Sequence, residues 1–261
     1  MDNRGWGESV ETVRLRPVRE SVGCPNVCFV LPPWEQTKMR YMPLDRGMDL
    51  NLWRKHLRHV PDEVWERLEI ETLVLADNDL TEIPTRIGVL KHLRMLDLGH
   101  NALTEIPEEI GELTGLRDFL YLHDNRLARL PNSLSHLKAL RYLNISENTF
   151  QEFPDAVCGM KGLIELRATD NQLSRLPNCL ANLTRLRELH LRNNKFTTLP
   201  EWIHDLSEIR QIDLRGNPLT SLSRALVELP KLEKLDLRWI TTLELPPWIE
   251  DLEARGCAVY R

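Results

Sequence analysis

His190 and Asp213 stand 23 residues apart, and an imidazole beside a carboxylate is the arrangement of a general base held by its orienting partner. His123 next to Asp124 offers the same two groups in consecutive positions, where side chains diverge along a strand. No nucleophile accompanies either pair in a pattern that would converge in a closed pocket. The chain carries no phosphate loop, no histidine cluster at metal-ligand spacing and no carboxylate pair that differs from ordinary surface charge. Cys24 and Cys28 form a C-x-x-x-C step without further ligands, too little to hold zinc. The expectation is a protein that is not an enzyme, with no cofactor and no metal site.

The elements that place these residues follow from a strict internal period. Blocks beginning at Ile70, Leu93, Leu116, Leu140, Leu163, Leu186, Ile209 and Leu232 share the pattern L-x-x-L-x-L-x-x-N-x-L-x-x-L-P-x-x-I-x-x-L. Starts are 23 residues apart, except that Leu116 and Leu140 are separated by 24. An earlier block from Gly47 is recognisable through Leu50, Leu52, Leu57, Val60, Pro61 and Val64. The L-x-L step has the period of a short strand, and the later I-x-x-L spacing after a proline suits a 3-10 or helical turn. Such a unit buries its leucines only by stacking on its neighbours. Asn78, Asn101, Asn125, Asn148, Asn171, Asn194 and Asn217 recur where the chain leaves the strand, positions at which an amide can satisfy the backbone of a buried bend.

This pattern resembles the leucine-rich repeat family. Its 23-residue form is similar to that of intracellular Ras-suppressor-type and plant Ras-group repeat proteins, and of small bacterial relatives. The resemblance implies an α/β solenoid: a horseshoe with a parallel concave sheet and short helical or 3-10 segments on the convex side. The expected organisation is a leader and cap segment over 1–46, about nine repeats over 47–254, and a cap strand over 255–261 in which Ala258 and Tyr260 continue the sheet and Gly256 eases the turn.

Composition narrows the function. Of 261 residues 42% are hydrophobic and 28% charged, with a formal net charge of -5, which argues against a general nucleic-acid binder. No apolar run reaches the length of a membrane span, and the first twenty residues lack the apolar stretch of a signal peptide. The family's extracellular disulfide caps continue with a C-x-C step, but Val30 stands where the next cysteine belongs. A cytoplasmic monomer is expected.

Function then rests on positions between the strand leucines. Met95, Phe119, Tyr121, His123 and Tyr142 gather as an aromatic patch on the concave face. On one side Asp77, Asp124, Glu147 and Asp170 form an acidic stripe; on the other, Arg167, His190, Arg192, Arg215 and Arg238 form a basic end that tolerates charge reversal, unless Asp213 and Asp236 neutralise it. The expected function is binding of a protein partner on this face, the alternative being a passive scaffold that recruits through its convex face or termini. The extra residue in "LRDFLYLHDN" is expected in the outer turn near Gly115 or as a bulge at Phe119, in which case deleting Phe119 restores the count and holds stability.

Overall fold

Residues 48–261 are described in a computed structural model of the chain. The leader, with Cys24, Cys28 and Val30, lies outside the described residues. The strands are β1 (Asp49–Asn51), β2 (Thr72–Val74), β3 (Met95–Asp97), β4 (Phe119–Tyr121), β5 (Tyr142–Asn144), β6 (Glu165–Arg167), β7 (Glu188–His190), β8 (Gln211–Asp213), β9 (Lys234–Asp236) and β10 (Ala258–Tyr260). They form one parallel sheet in chain order, each three residues long and paired with the next in strict register. The expected last strand is present, and Gly256 precedes it with φ +94°, a conformation that glycine adopts without strain.

The leucines at the strand centres, from Leu50 through Leu96 and Leu143 to Leu235, turn inward and are buried against their counterparts in adjacent repeats. Each such side chain stabilises the stack by roughly 1.5 to 3 kcal/mol relative to exposure. No repeat could do this alone, because its inner face is covered only by the next layer. Opposite the sheet, five-residue 3-10 helices run from Asp62–Glu66 to Arg224–Glu228. Seven open with a proline at the N-cap, with φ between -58° and -71°, so no donor is wasted at the start of the turn. At the eighth, Ser223 replaces proline and its hydroxyl accepts from the Ala225 amide at 3.1 Å. In the last unit, the outer segment becomes the α-helix α1 (Ile249–Ala254).

The asparagine ladder closes the seven turns from Asn78 to Asn217 in the same way. Asn125 Oδ1 accepts from the Leu103 amide at 3.0 Å, while its Nδ2 donates to the carbonyls of Leu98, Leu122 and His123. Immediately before each of these asparagines lies a residue in the left-handed region, with φ between 48° and 66° at Asp77, His100, Asp124, Glu147, Asp170, Asn193 and Gly216. Asp, Asn and His tolerate that conformation several-fold better than other side chains. The acidic stripe is therefore first a product of backbone geometry.

The additional residue sits in neither expected place. Phe119 pairs with Met95 and Tyr142 in ordinary register. Leu116 is buried like Leu93, 23 residues before it, while Phe119 pairs with Met95 at 24, so the extra residue is absorbed between Leu116 and the strand, where Asp118 meets the Arg94 guanidinium at 2.9 Å. Deleting Asp118 should shift the unfolding free energy by no more than about 1 kcal/mol, since the strand keeps its register. Deleting Phe119 instead brings Asp118 into the strand beside Met95 and Tyr142 and should destabilise clearly more; urea titration of both variants checks the order.

Candidate functional site

The concave face is built from the first and third residue of every strand and the residues just beyond. Because register is strict, side chains from successive repeats stand in columns about 4.8 Å apart. Met95, Phe119 and Tyr142 occupy one column and Asp97, Tyr121, Asn144, Arg167 and His190 the next. Rings on neighbouring strands at this spacing must touch. Phe119 and Tyr142 meet at 5.5 Å between centroids, Tyr121 and Tyr142 at 5.0 Å, and Phe119 stacks on Tyr121 at 5.9 Å. Tyr142 is consequently only 4% exposed, and His123 only 7%. The aromatic patch exists as expected in position, but two of its members are buried in it; Met95, Phe119 and Tyr121 are half-buried and form its accessible surface.

His123 extends the cluster beyond the strand, in edge contact with His100 at 4.7 Å and with Tyr121 at 5.9 Å. Its ring lies over Gly99, where an added Cβ would come within 2.3 Å of His123 Cε1, so this close approach requires glycine. Burial, reinforced by the His100 charge, pushes His123 down to about 4. Burial pushes neighbouring Asp97 up to about 6, against the opposing pull of the Gly99 amide and the His100 charge. Between pH 6.5 and about 4 the unfolded chain protonates a histidine that the folded chain keeps neutral, so the His123 contribution is lost as pH falls. Between about 3.8 and 6 the folded chain protonates an aspartate that the unfolded chain leaves charged, so the Asp97 contribution grows as pH falls. Asp97→Asn should therefore lose stability more steeply than wild type on acidification from pH 7 to 4, and His123→Gln less steeply, as read from urea midpoints across that range.

The basic end is less free than its sequence implies. Arg192 pairs with Asp170 at 2.7 Å, Arg215 with Asp213 at 2.6 Å and Arg238 with Asp236 at 2.8 Å. Arg167 donates to Glu165 at 2.5 Å. Each arginine is held by a carboxylate of its own repeat or, for Arg192, of the preceding one, so reversal of these charges would place like charges in contact. The acidic positions are also engaged: Asp77 with Arg54, and Asp124 with His100 at 2.5 Å.

Glu165 and Glu188 were not among the residues singled out from sequence. They occupy the same strand column as Met95, Phe119 and Tyr142, and reading that column to its end would have placed them beside Arg167 and His190. Burial pushes the Glu165 carboxyl up, opposed by Arg167, whereas the His190 hydrogen bond holds Glu188 below the usual range. The His190–Asp213 pair does stand in register on adjacent strands, but the hydrogen-bonding partner of His190 is Glu188, at 3.3 Å. A further feature escaped the sequence reading: Cys158 and Cys179, in successive 3-10 helices with Cα atoms 5.5 Å apart, form a disulfide, while Cys257 is free and buried.

Family models place the chain among known sequences. One described as a leucine-rich repeat region matches residues 108–191, and one described as leucine rich repeat matches 68–127, 170–219 and 184–239. No curated protein matches the chain in sequence. Among solved structures, a leucine-rich repeat protein of Leptospira interrogans is 25% identical, with TM-score 0.52, covering 82% of this chain and 66% of its own. The plant peptide hormone receptor RGFR1, solved in complex with RGF2, is 32% identical with TM-score 0.65, over 76% of this chain and 32% of the receptor chain. The ectodomain of the receptor kinase GASSHO1/SCHENGEN3 from Arabidopsis thaliana, in complex with CASPARIAN STRIP INTEGRITY FACTOR 2, is 29% identical with TM-score 0.66, over 77% and 25%. The chain thus spans a third or less of these receptor chains.

Proposed function

Because the chain belongs to the leucine-rich repeat family, whose domains are typically non-enzymatic interaction modules, we propose that it binds a protein partner on its concave face. The observation that carries this reading is the aromatic ladder: Phe119 and Tyr121, half-buried and fixed by contact with buried Tyr142, stand between an acidic corner and an arginine-rich end. Rigid aromatic side chains surrounded by charged ones suit the core and rim of an interface, since they lose little conformational freedom on binding. That two structural neighbours are receptors solved with bound ligands supports the same class of function here.

The proposal includes a monomer that acts without catalysis, nucleic acid or membrane; no described helix is long and apolar enough to cross a bilayer. Affinity capture from the source cells with wild type and with Tyr121→Ala tests the binding face. Tyr121 is the better probe than Tyr142, whose removal would disturb the packing of its neighbours. Loss of a captured protein in the folded variant supports concave binding, and unchanged capture favours a passive scaffold that recruits elsewhere. A cytoplasmic location is also part of the proposal, and the Cys158–Cys179 pair provides its test, because structural disulfides persist in oxidising compartments. Alkylation in intact cells should block both thiols if the protein is cytoplasmic; a protected pair would place it elsewhere.

A further inference from the structure

Glu165, Glu188 and His190 present one potential ligand atom each within 4.8 Å of one another, on paired strands of the concave sheet. His190 Nε2 lies 3.3 Å from Glu188 Oε2 and 3.7 Å from Glu165 Oε1. Ligands about 2.0 to 2.2 Å from a tetrahedral zinc ion stand roughly 3.3 to 3.6 Å apart, so these separations are near the edges of such a coordination shell before any ion draws them in.

Glu165 supplies an independent indication. Its side chain is only 1% exposed, and Arg167 Nε donates to Oε1 at 2.5 Å, but Oε2 is buried without a hydrogen-bond partner among the described residues. A buried carboxylate oxygen left unsatisfied is costly, and an ion is one of the few ways to satisfy it. Glu165, Glu188 and Arg167 together carry one net negative charge, which a divalent cation would more than offset.

We propose that Glu165, Glu188 and His190 form a divalent-metal site of the Zn2+ class on the concave face. Imidazole with carboxylate oxygen is a donor set that Zn2+ accepts readily, and three protein ligands leave one position for water or for a donor from another molecule. Glu165 is the buried member of the set, 1% exposed at its side chain, and Glu188 and His190 are 20% and 16% exposed at theirs. Arg167 remains hydrogen-bonded to Glu165 as the outer partner that orients the ligand carboxylate. The site stands independently of the partner-binding reading, since the metal alone probes it.

The full chain, stripped with a chelator and dialysed, is titrated with ZnCl2 by calorimetry and with Co2+ by visible absorption. The expected result is one saturable equivalent, the intense d–d bands of four-coordinate Co2+, and a rise in thermal midpoint with added metal. Glu188→Gln and His190→Gln, both at half-buried positions, should each weaken binding by at least about tenfold while the apo proteins stay folded. Absence of saturable binding in wild type overturns the proposal. So does undiminished binding in both variants, which would assign the metal to surface histidines.

Discussion

Replacing Asn148 with alanine is expected to lower the unfolding free energy by about 3 kcal/mol, with the largest share from one orphaned amide. The Leu127 amide is buried in the turn of the preceding repeat and donates to Asn148 Oδ1 at 2.9 Å, its sole hydrogen bond among the described residues. Asn148 Nδ2 donates in turn to the carbonyls of Leu122, Ile145 and Ser146, at 2.9, 3.2 and 3.0 Å. The first two of those acceptors are shared with Asn125 and Asn171, so they are weakened but not abandoned. Asn148→Asp separates the two roles. It keeps an acceptor for Leu127 but turns a carboxylate toward three carbonyl oxygens, and should destabilise more than alanine. Asn182→Ala, at an exposed position where the amide reaches only the Cys179 carbonyl, should change stability by about 0.5 kcal/mol or less. Urea denaturation followed by circular dichroism gives all three values. A loss at Asn148 no larger than at Asn182 would remove the ladder from the account of stability.

The ladder was legible in the sequence because it depends on contacts that repeat with the chain's own period. An asparagine 21 or 22 residues beyond the amide it caps recurs in block after block, and so does the leucine or isoleucine at each strand centre. The column between the strand leucines was legible for the same reason, with Tyr121, Arg167 and His190 in one row, whereas the ordinary pairing of Phe119 with Met95 and Tyr142 was not. Contacts that occur once were not. Whether Tyr142 is open or buried depends on the two rings of the preceding repeat, Phe119 and Tyr121, and a pattern of types does not give the rotamers that close over it. The Cys158–Cys179 pair shows the same limit: both cysteines lie in 3-10 helices that look equivalent to every other, and only stacking brings these two to bonding distance. Charges carry a second meaning that the pattern does not separate. Asp at 77, 124 and 170 looks like a recognition stripe until the backbone is seen, where those positions require a residue that accepts positive φ. Two demands thus act on the same column, one from the turn and one from whatever the face binds, and sequence alone cannot divide a residue between them.

Arg215→Glu should destabilise the chain by about 3 kcal/mol or more, although sequence reasoning would place that arginine on a solvated face. Its guanidinium lies 2.6 Å from Asp213 and 3.6 Å from Asp236, whose side chain is 2% exposed, and it also covers the Trp239 ring at 5.3 Å. Burial pushes the Asp236 carboxyl up, but hydrogen bonds from Arg238 and the charges of Arg215 and Arg238 outweigh it and hold the group below its ordinary range. Glutamate at 215 would remove one of those counter-charges and set three carboxylates against one another at the sheet surface. Arg175→Glu is the natural control, since Arg175 meets Glu152 at 3.2 Å with both side chains about 80% exposed, and an ion pair so solvated contributes little that a reversal can take away. The pH dependence distinguishes charge repulsion from a packing defect. In wild type the depressed Asp236 contributes stability that is present above its unfolded value and lost as pH falls through the folded one. In Arg215→Glu the crowded carboxylates are raised instead, and protonation relieves them, so the gap between variant and wild type should narrow as pH falls from 7 toward about 4. A gap that stays constant over that range would show that the arginine acts through its contact with Trp239 rather than through its charge.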